Sequence, residues 1–278
     1  MKRFTCNKEY VFLVIILTLV ASCETIKPSV ENPVEGWAVL AEKVYYEAPN
    51  EHDRPVDYID ITLMRQALEV SGWNPDHIHD LREYTQETLR AELNWLEEIA
   101  DENDIVILYV TGHASYLRDE VLWRDFFADE WSLISSQRRV LIVDTTKAAN
   151  FTNVVRRNDP LLYLSIASAA ENEYSWVGFE EEGLPIIGSV FTHYFADALN
   201  NPDADADEDD LVSIQEAALM AEERQRAYMH DLVLVVPEIV EMYHTQTWTT
   251  PEQDPTYPNV IMDDAIGEPL YLTLDVYP

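Results

Sequence analysis

The twelve residues from Asp205 to Glu216 (DADEDDLVSIQE) carry the most position-specific chemistry in the chain. Asp205, Asp207, Asp209, Ser213 and Glu216 place side-chain oxygens at loop positions 1, 3, 5, 9 and 12; Leu211 offers a backbone carbonyl at position 7 and Val212 is the aliphatic residue at position 8. Hard oxygen ligands at this spacing wrap a hard cation, the pattern of an EF-hand-type calcium loop running into a helix. Asp210 stands at position 6, where glycine is usual; aspartate tolerates left-handed backbone better than most residues, so the loop is expected to close. A merely solvated acidic loop would need neither Ser213 nor Glu216 at their places. The expectation is a structural Ca2+ site.

A second chemistry lies at the ends of two apolar runs. One is Tyr109-Val110-Thr111-Gly112-His113, the other Leu141-Ile142-Val143-Asp144-Thr145-Thr146. An imidazole can act as a general base, and a threonine hydroxyl becomes a nucleophile only beside such a base and near oxyanion donors. The plainer alternative makes His113 a hydrogen-bonded residue at a strand end and Thr146 a turn residue.

The elements that must position these groups read as an α/β architecture. Short β-branched runs at 37–41, 105–110, 140–143 and 161–166 predict strands, the last three buried on both faces, as in a mostly parallel sheet flanked by helices. Helical spacing predicts helices over 60–70, 86–100, 188–200 and 214–229, with Thr85 as an N-cap. The run PLYLTLD at 269–275 reads as a late strand. Functional groups in such sheets gather beyond the carboxyl ends of the strands, where His113 and Thr146 fall.

In that order of elements the chain resembles the caspase-like clan of cysteine peptidases, most nearly the legumain-like proteins of bacteria and archaea. There, a strand ending in Gly-His supplies the general base and the next strand ends in Asp-Ala-Cys, with the cysteine as nucleophile. The resemblance continues through Ser168-Ala169-Ala170-Glu171, Tyr174-Ser175-Trp176 and Gly183 to Leu199, covering residues 36–200 and a closing segment 251–272. It implies a caspase-like three-layer sandwich, His113 and Thr146 at the dyad positions, and a substrate pocket built from Arg54, Asp144, Ser168, Glu171 and Ser175, with Trp176 as a wall. Asp57 and Asp60 fall near Arg54, in the region where relatives place polar partners of that arginine. Bacterial relatives also carry single calcium loops ahead of a helix.

The chain departs from the pattern at the reacting centre. Thr146 replaces the cysteine, Ala114 replaces the second glycine of Gly-His-Gly, and Lys147 replaces a small residue. The expectation is a non-catalytic peptidase homologue that recognises a peptide or protein. The alternatives are an active hydrolase using Thr146 with His113 as base, and a structural envelope component whose cleft is filled by its own side chains.

Lys2 and Arg3 precede an apolar run over 11–20, too short to span a bilayer, and Val20-Ala21-Ser22-Cys23 resembles a bacterial lipobox. The expected organisation is a signal peptide over 1–22, a lipidated Cys23 with a proline-bearing tether to residue 34, and one domain over 35–278. Cys6 and Cys23 are the only cysteines, so a processed domain would hold no disulfide and no thiol nucleophile. Eighteen basic against 52 acidic side chains give a net charge of −34, which argues against nucleic acid partners and leaves a lipid-anchored place in the cell envelope.

Overall fold

Near-continuous aliphatic runs can be buried only where both faces of a sheet are covered, and four such runs sit side by side in the computed structural model. It describes residues 32–44, 58–113, 129–158, 163–178, 180–181, 184–185, 188–236, 238–247 and 257–277. The chain divides into 1–33 and 34–278, and the fold is that of the second unit.

A six-stranded sheet runs in the order β2-β1-β3-β4-β5-β8, with β1 Gly36–Lys43, β2 Ile78–Arg82, β3 Ile105–Gly112, β4 Arg138–Asp144, β5 Tyr163–Ala167 and β8 Ile261–Asp264. All pairs are parallel except β5 with β8. A separate two-stranded ribbon joins β6 Glu180–Glu181 to β7 Leu184–Pro185. The helices are α1 Ile59–Val70, α2 Gln86–Ile99, α3 Ala149–Asn158, α4 Val190–Ala198, α5 Ile214–Val235 and α6 Glu238–Thr247. This is the mostly parallel, helix-flanked α/β architecture that the sequence predicts.

The period-2 geometry of strands divides the core into two layers. Leu40, Tyr109, Ile142 and Ile166 face α1, α4 and α5; Val39, Leu108 and Leu141 face α2 and Trp131. Thr85 caps α2 in a reciprocal box with Thr88, as its place ahead of the helix predicts. Gly36 is required by packing, because a Cβ there would meet the Trp73 ring at 2.5 Å. Trp73 in turn donates its indole N–H to the Leu272 carbonyl, 2.9 Å away.

The closing strand is corrected. Residues 269–275 form an isolated bridge, Ser213 to Tyr271, and enter a 3-10 turn at Leu274–Val276, whereas the sheet's last strand is Ile261–Asp264. Leu270 and Leu272 are buried because they pack on the α1 and α5 side of the core, not because they extend the ladder. β2, β6, β7, α3 and α6 are additions to the elements read from the sequence.

Candidate functional site

Register brings three polar residues into one row at the carboxyl edge of the sheet: Glu42 pairs with Thr111 across β1 and β3, and Thr111 with Asp144 across β3 and β4. All three are buried, as is Asp60 in the first turn of α1. A buried carboxylate is tolerable only when hydrogen bonds replace its water. Helix N-termini supply them. The Glu42 Oε2 accepts the Ile61 N–H at 3.1 Å, so a side chain from β1 serves α1, whose own Tyr58 N-cap position lacks a side-chain cap. Asp60 does the same one helix further on: Oδ1 accepts the Ser189 N–H at 2.8 Å, at the start of α4, and Oδ2 accepts the Thr111 hydroxyl at 3.2 Å. A Cβ on Gly188 (φ +88°) would lie 2.4 Å from Asp60 Oδ1, so the residue must be glycine for both conformation and room.

Asp144 closes the network. Its Oδ1 accepts the Ser175 hydroxyl at 2.7 Å and its Oδ2 the Thr192 hydroxyl at 2.6 Å. Thr192 has one proton, which Asp144 takes, so the Tyr109 phenol 2.5 Å from Thr192 Oγ1 must be the donor of that contact. Burial first, and then the charges of Asp60, Asp144 and Glu42, hold the Tyr109 phenol well above its ordinary value and keep it a donor.

The dyad positions lie beside this row. His113 directly follows β3 and Thr146 sits in the turn after β4, both half-buried. The Thr145 hydroxyl donates to the Gly112 carbonyl at 2.8 Å and ties the two strand ends together. Lys147 takes a left-handed conformation (φ 61°). The next four amides all donate to protein carbonyls: Lys147 to Glu173 (2.7 Å), Ala148 to Thr145 (3.1 Å), Ala149 to Ala169 (3.0 Å) and Asn150 to Lys147 (3.0 Å). Among the described residues no hydrogen bond joins the Thr146 hydroxyl to His113.

Of the pocket residues implied by the resemblance, Asp144 and Ser175 meet each other, while Ser168 is fully buried behind them. Glu171 is exposed and tied to α3, its carbonyl accepting from Asn150 (2.9 Å) and its carboxylate from Asn153 (2.6 Å). Trp176 is a core residue, edge-on to Tyr257 with its indole N–H directed at that phenol. Arg54, Asp57, Ala114 and Cys23 lie outside the described residues. Glu42, Tyr109 and Thr192 complete the row without having been singled out in the sequence. A glutamate closing the apolar run WAVLAE was the one available signal.

The loop at 205–216 is built differently. Asp205, Asp207 and Asp209 bring one carboxylate oxygen each within 4.8 Å of one another. Oxygens sharing one calcium ion at about 2.4 Å lie no farther apart than about 4.8 Å, so the three fit that ion. Asp210 adopts φ 70°, the left-handed conformation its position requires. The carboxylate of Glu216 folds back over the loop, Oε1 accepting the amides of Ala206 (2.8 Å) and Asp207 (3.2 Å) and Oε2 the amide and hydroxyl of Ser213 (2.9 and 2.7 Å). Desolvation raises Glu216, but the Ser213 and backbone donors outweigh it and hold the carboxyl below its usual range. Asp207 is pushed up, by desolvation and by the charges of Asp209, Glu216 and Asp205, a repulsion that a cation would relieve. Tyr271 donates its phenol proton to Asp209 Oδ2 at 2.7 Å. The three aspartates are the converging set; the Ser213 hydroxyl is turned to Glu216.

No protein-family model and no curated protein sequence matches the chain. Among solved structures it is similar to the crystal structure of caspase-1 from Spodoptera frugiperda, with a TM-score of 0.48, 11% identity, and coverage of 86% of this chain and 90% of that one.

Proposed function

We propose that the protein is an extracytoplasmic lipoprotein, anchored through Cys23, whose peptidase-like domain recognises a peptide or protein without cleaving it and is stabilised by calcium at 205–216. The observation that carries the non-catalytic reading is the engagement of the amides around Thr146. A threonine hydroxyl is a weak nucleophile and relies on a positioned base and on N–H groups aimed at the developing oxyanion. The amides of residues 147–150 are directed at the carbonyls of Glu173, Thr145, Ala169 and Lys147 instead. Asp144, two residues before Thr146, is likewise held by Ser175 and Thr192. These contacts support a rigid lip that can present main-chain and side-chain groups to an extended peptide. The resemblance of Gly112-His113 and Asp144-Thr145-Thr146 to a peptidase dyad supports peptide as the ligand class.

The test is a fluorogenic peptide library incubated with the purified protein and calcium, comparing wild type, His113→Ala, Thr146→Cys and the double variant. The expected result is no turnover by wild type, and cleavage by Thr146→Cys that the added His113→Ala removes. Turnover by wild type that disappears in His113→Ala overturns the reading and establishes the Thr146 hydrolase.

A further inference from the structure

α5 buries one face completely, through residues including Ala217, Ala221, Tyr228 and Leu232, and its opposite face has no cover among the described residues. That outer face carries exposed apolar side chains among the charged ones an amphipathic helix normally offers to water. Leu219 is 55% exposed at one end and Leu234 61% at the other. Of the ten exposed large apolar side chains in the described residues, four lie on α5 and α6. A shallow hollow of 390 Å³ begins at Leu219, passes over the small side chain of Ala227 and is bordered by Glu222, Glu223, His230 and Asp231.

The charges along the groove are unequal. Arg226 is fully engaged: Nη2 contacts Glu222 Oε1 (2.5 Å) and Asn259 Oδ1 (2.6 Å), and Nε donates to the Pro258 carbonyl (3.1 Å). That pairing cancels Arg226 against Glu222. The exposed Glu223 forms no hydrogen bond or ion pair within the described residues, and the exposed Asp231 meets only the half-exposed His230, at 3.5 Å. Two carboxylates remain, eight positions apart in the helix, a span of about 12 Å.

We propose that this face of α5 is a docking surface for a cationic, aliphatic segment of a partner protein, with leucine-sized side chains at Leu219 and over Ala227 and a lysine or arginine at each of Glu223 and Asp231. Charge complementarity identifies the partner: apolar floor and unpaired carboxylates together select a basic amphipathic helix against an acidic or a neutral one. The surface lies on α5, apart from the β3 and β4 strand ends, and does not depend on the function proposed for them.

The test uses the purified full chain in mild detergent and a fluorescein-labelled eighteen-residue model helix of leucine and lysine, with a leucine and glutamate helix and a lysine and leucine scramble as controls. Anisotropy is expected to show saturable binding of the first probe alone. Glu223→Lys combined with Asp231→Lys should weaken it at least about tenfold, and Leu219→Gln about fivefold. Glu97→Lys with Glu98→Lys on exposed positions of α2 changes the net charge equally and should weaken it less than about twofold. Equal losses for the two lysine pairs would reduce the effect to overall charge and overturn the proposal, as would absence of binding. Sedimentation showing a concentration-dependent dimer that Leu219→Gln dissociates would also overturn it, since the face would then serve a second copy of the chain.

Discussion

The strand-end row and the loop at 205–216 are both acidic, yet they handle charge in opposite ways. Glu42, Asp60 and Asp144 are buried and held one by one by helix amides and hydroxyls. Asp205, Asp207 and Asp209 crowd one another near the surface. The first arrangement fixes the geometry of two helices and a sheet edge without any ligand. The second is met by the amides of residues 209–211 and the Tyr271 phenol, yet Asp207 remains pushed up by desolvation and by its acidic neighbours. Carboxylates placed where their neighbours are donors become structure, whereas carboxylates placed beside one another carry a mutual repulsion.

The largest break in that comparison should come from Asp60. Asp60→Ala strands the Ser189 amide and the Thr111 hydroxyl, and is expected to cost about 2–4 kcal/mol in urea unfolding. Asp205→Asn, measured without calcium, should stay within about 0.5 kcal/mol of wild type. If the two variants lose equal stability, the division between structural and metal-seeking carboxylates is wrong.

Calcium should sharpen the contrast next. Saturation at a hundred times the dissociation constant is expected to add about 2.7 kcal/mol, seen as a rise in melting temperature. Glu216→Gln should remove most of that rise, while Thr192→Val, on the other side of the comparison, should lower the baseline and leave the rise intact. A melting curve indifferent to calcium would remove the cation from the account.

The smallest effect concerns pH. Burial pulls His193 on α4 below its ordinary value, with Asp197 opposing. The fold therefore prefers the neutral ring, and the stability this represents is present above the unfolded value near 6.5 and declines as pH falls below it. Wild type should lose more stability than His193→Gln between pH 8 and pH 5.5 in urea unfolding. Identical pH profiles would remove this assignment.

What the sequence disclosed depended on how local the physics was. β3 and β4 are legible because a strand buried on both faces is apolar at every position. Thr85 and Asp210 are legible because capping and left-handed turns are decided within a few residues. β2 (IHDLR) has only two aliphatic residues among polar ones at the sheet edge and carries no such run. β8 (IMDD) is an edge strand with two aspartates, so the more apolar stretch after it drew the expectation. The row at the strand ends was illegible as a unit, because its bonds join residues far apart: Asp60 reaches 51 positions to Thr111 and 129 to Ser189. Residue types suggested polar groups there, but only the register of three strands shows that they share one edge.

The contact between Trp73 and Leu272 links positions 199 apart, with Leu270 and Leu272 buried against the same layer. Its consequence concerns the order of assembly. A chain threaded from its amino end has β1 and α1 in hand long before the stretch that completes their covering, so that layer remains unfinished until the last residues arrive. Such dependence on distant contacts slows folding, because the entropy of closing a long loop is lost before those contacts form. A chain cut before Leu270 is expected to lose its cooperative melting transition; if it keeps that transition, the order of assembly is not set there.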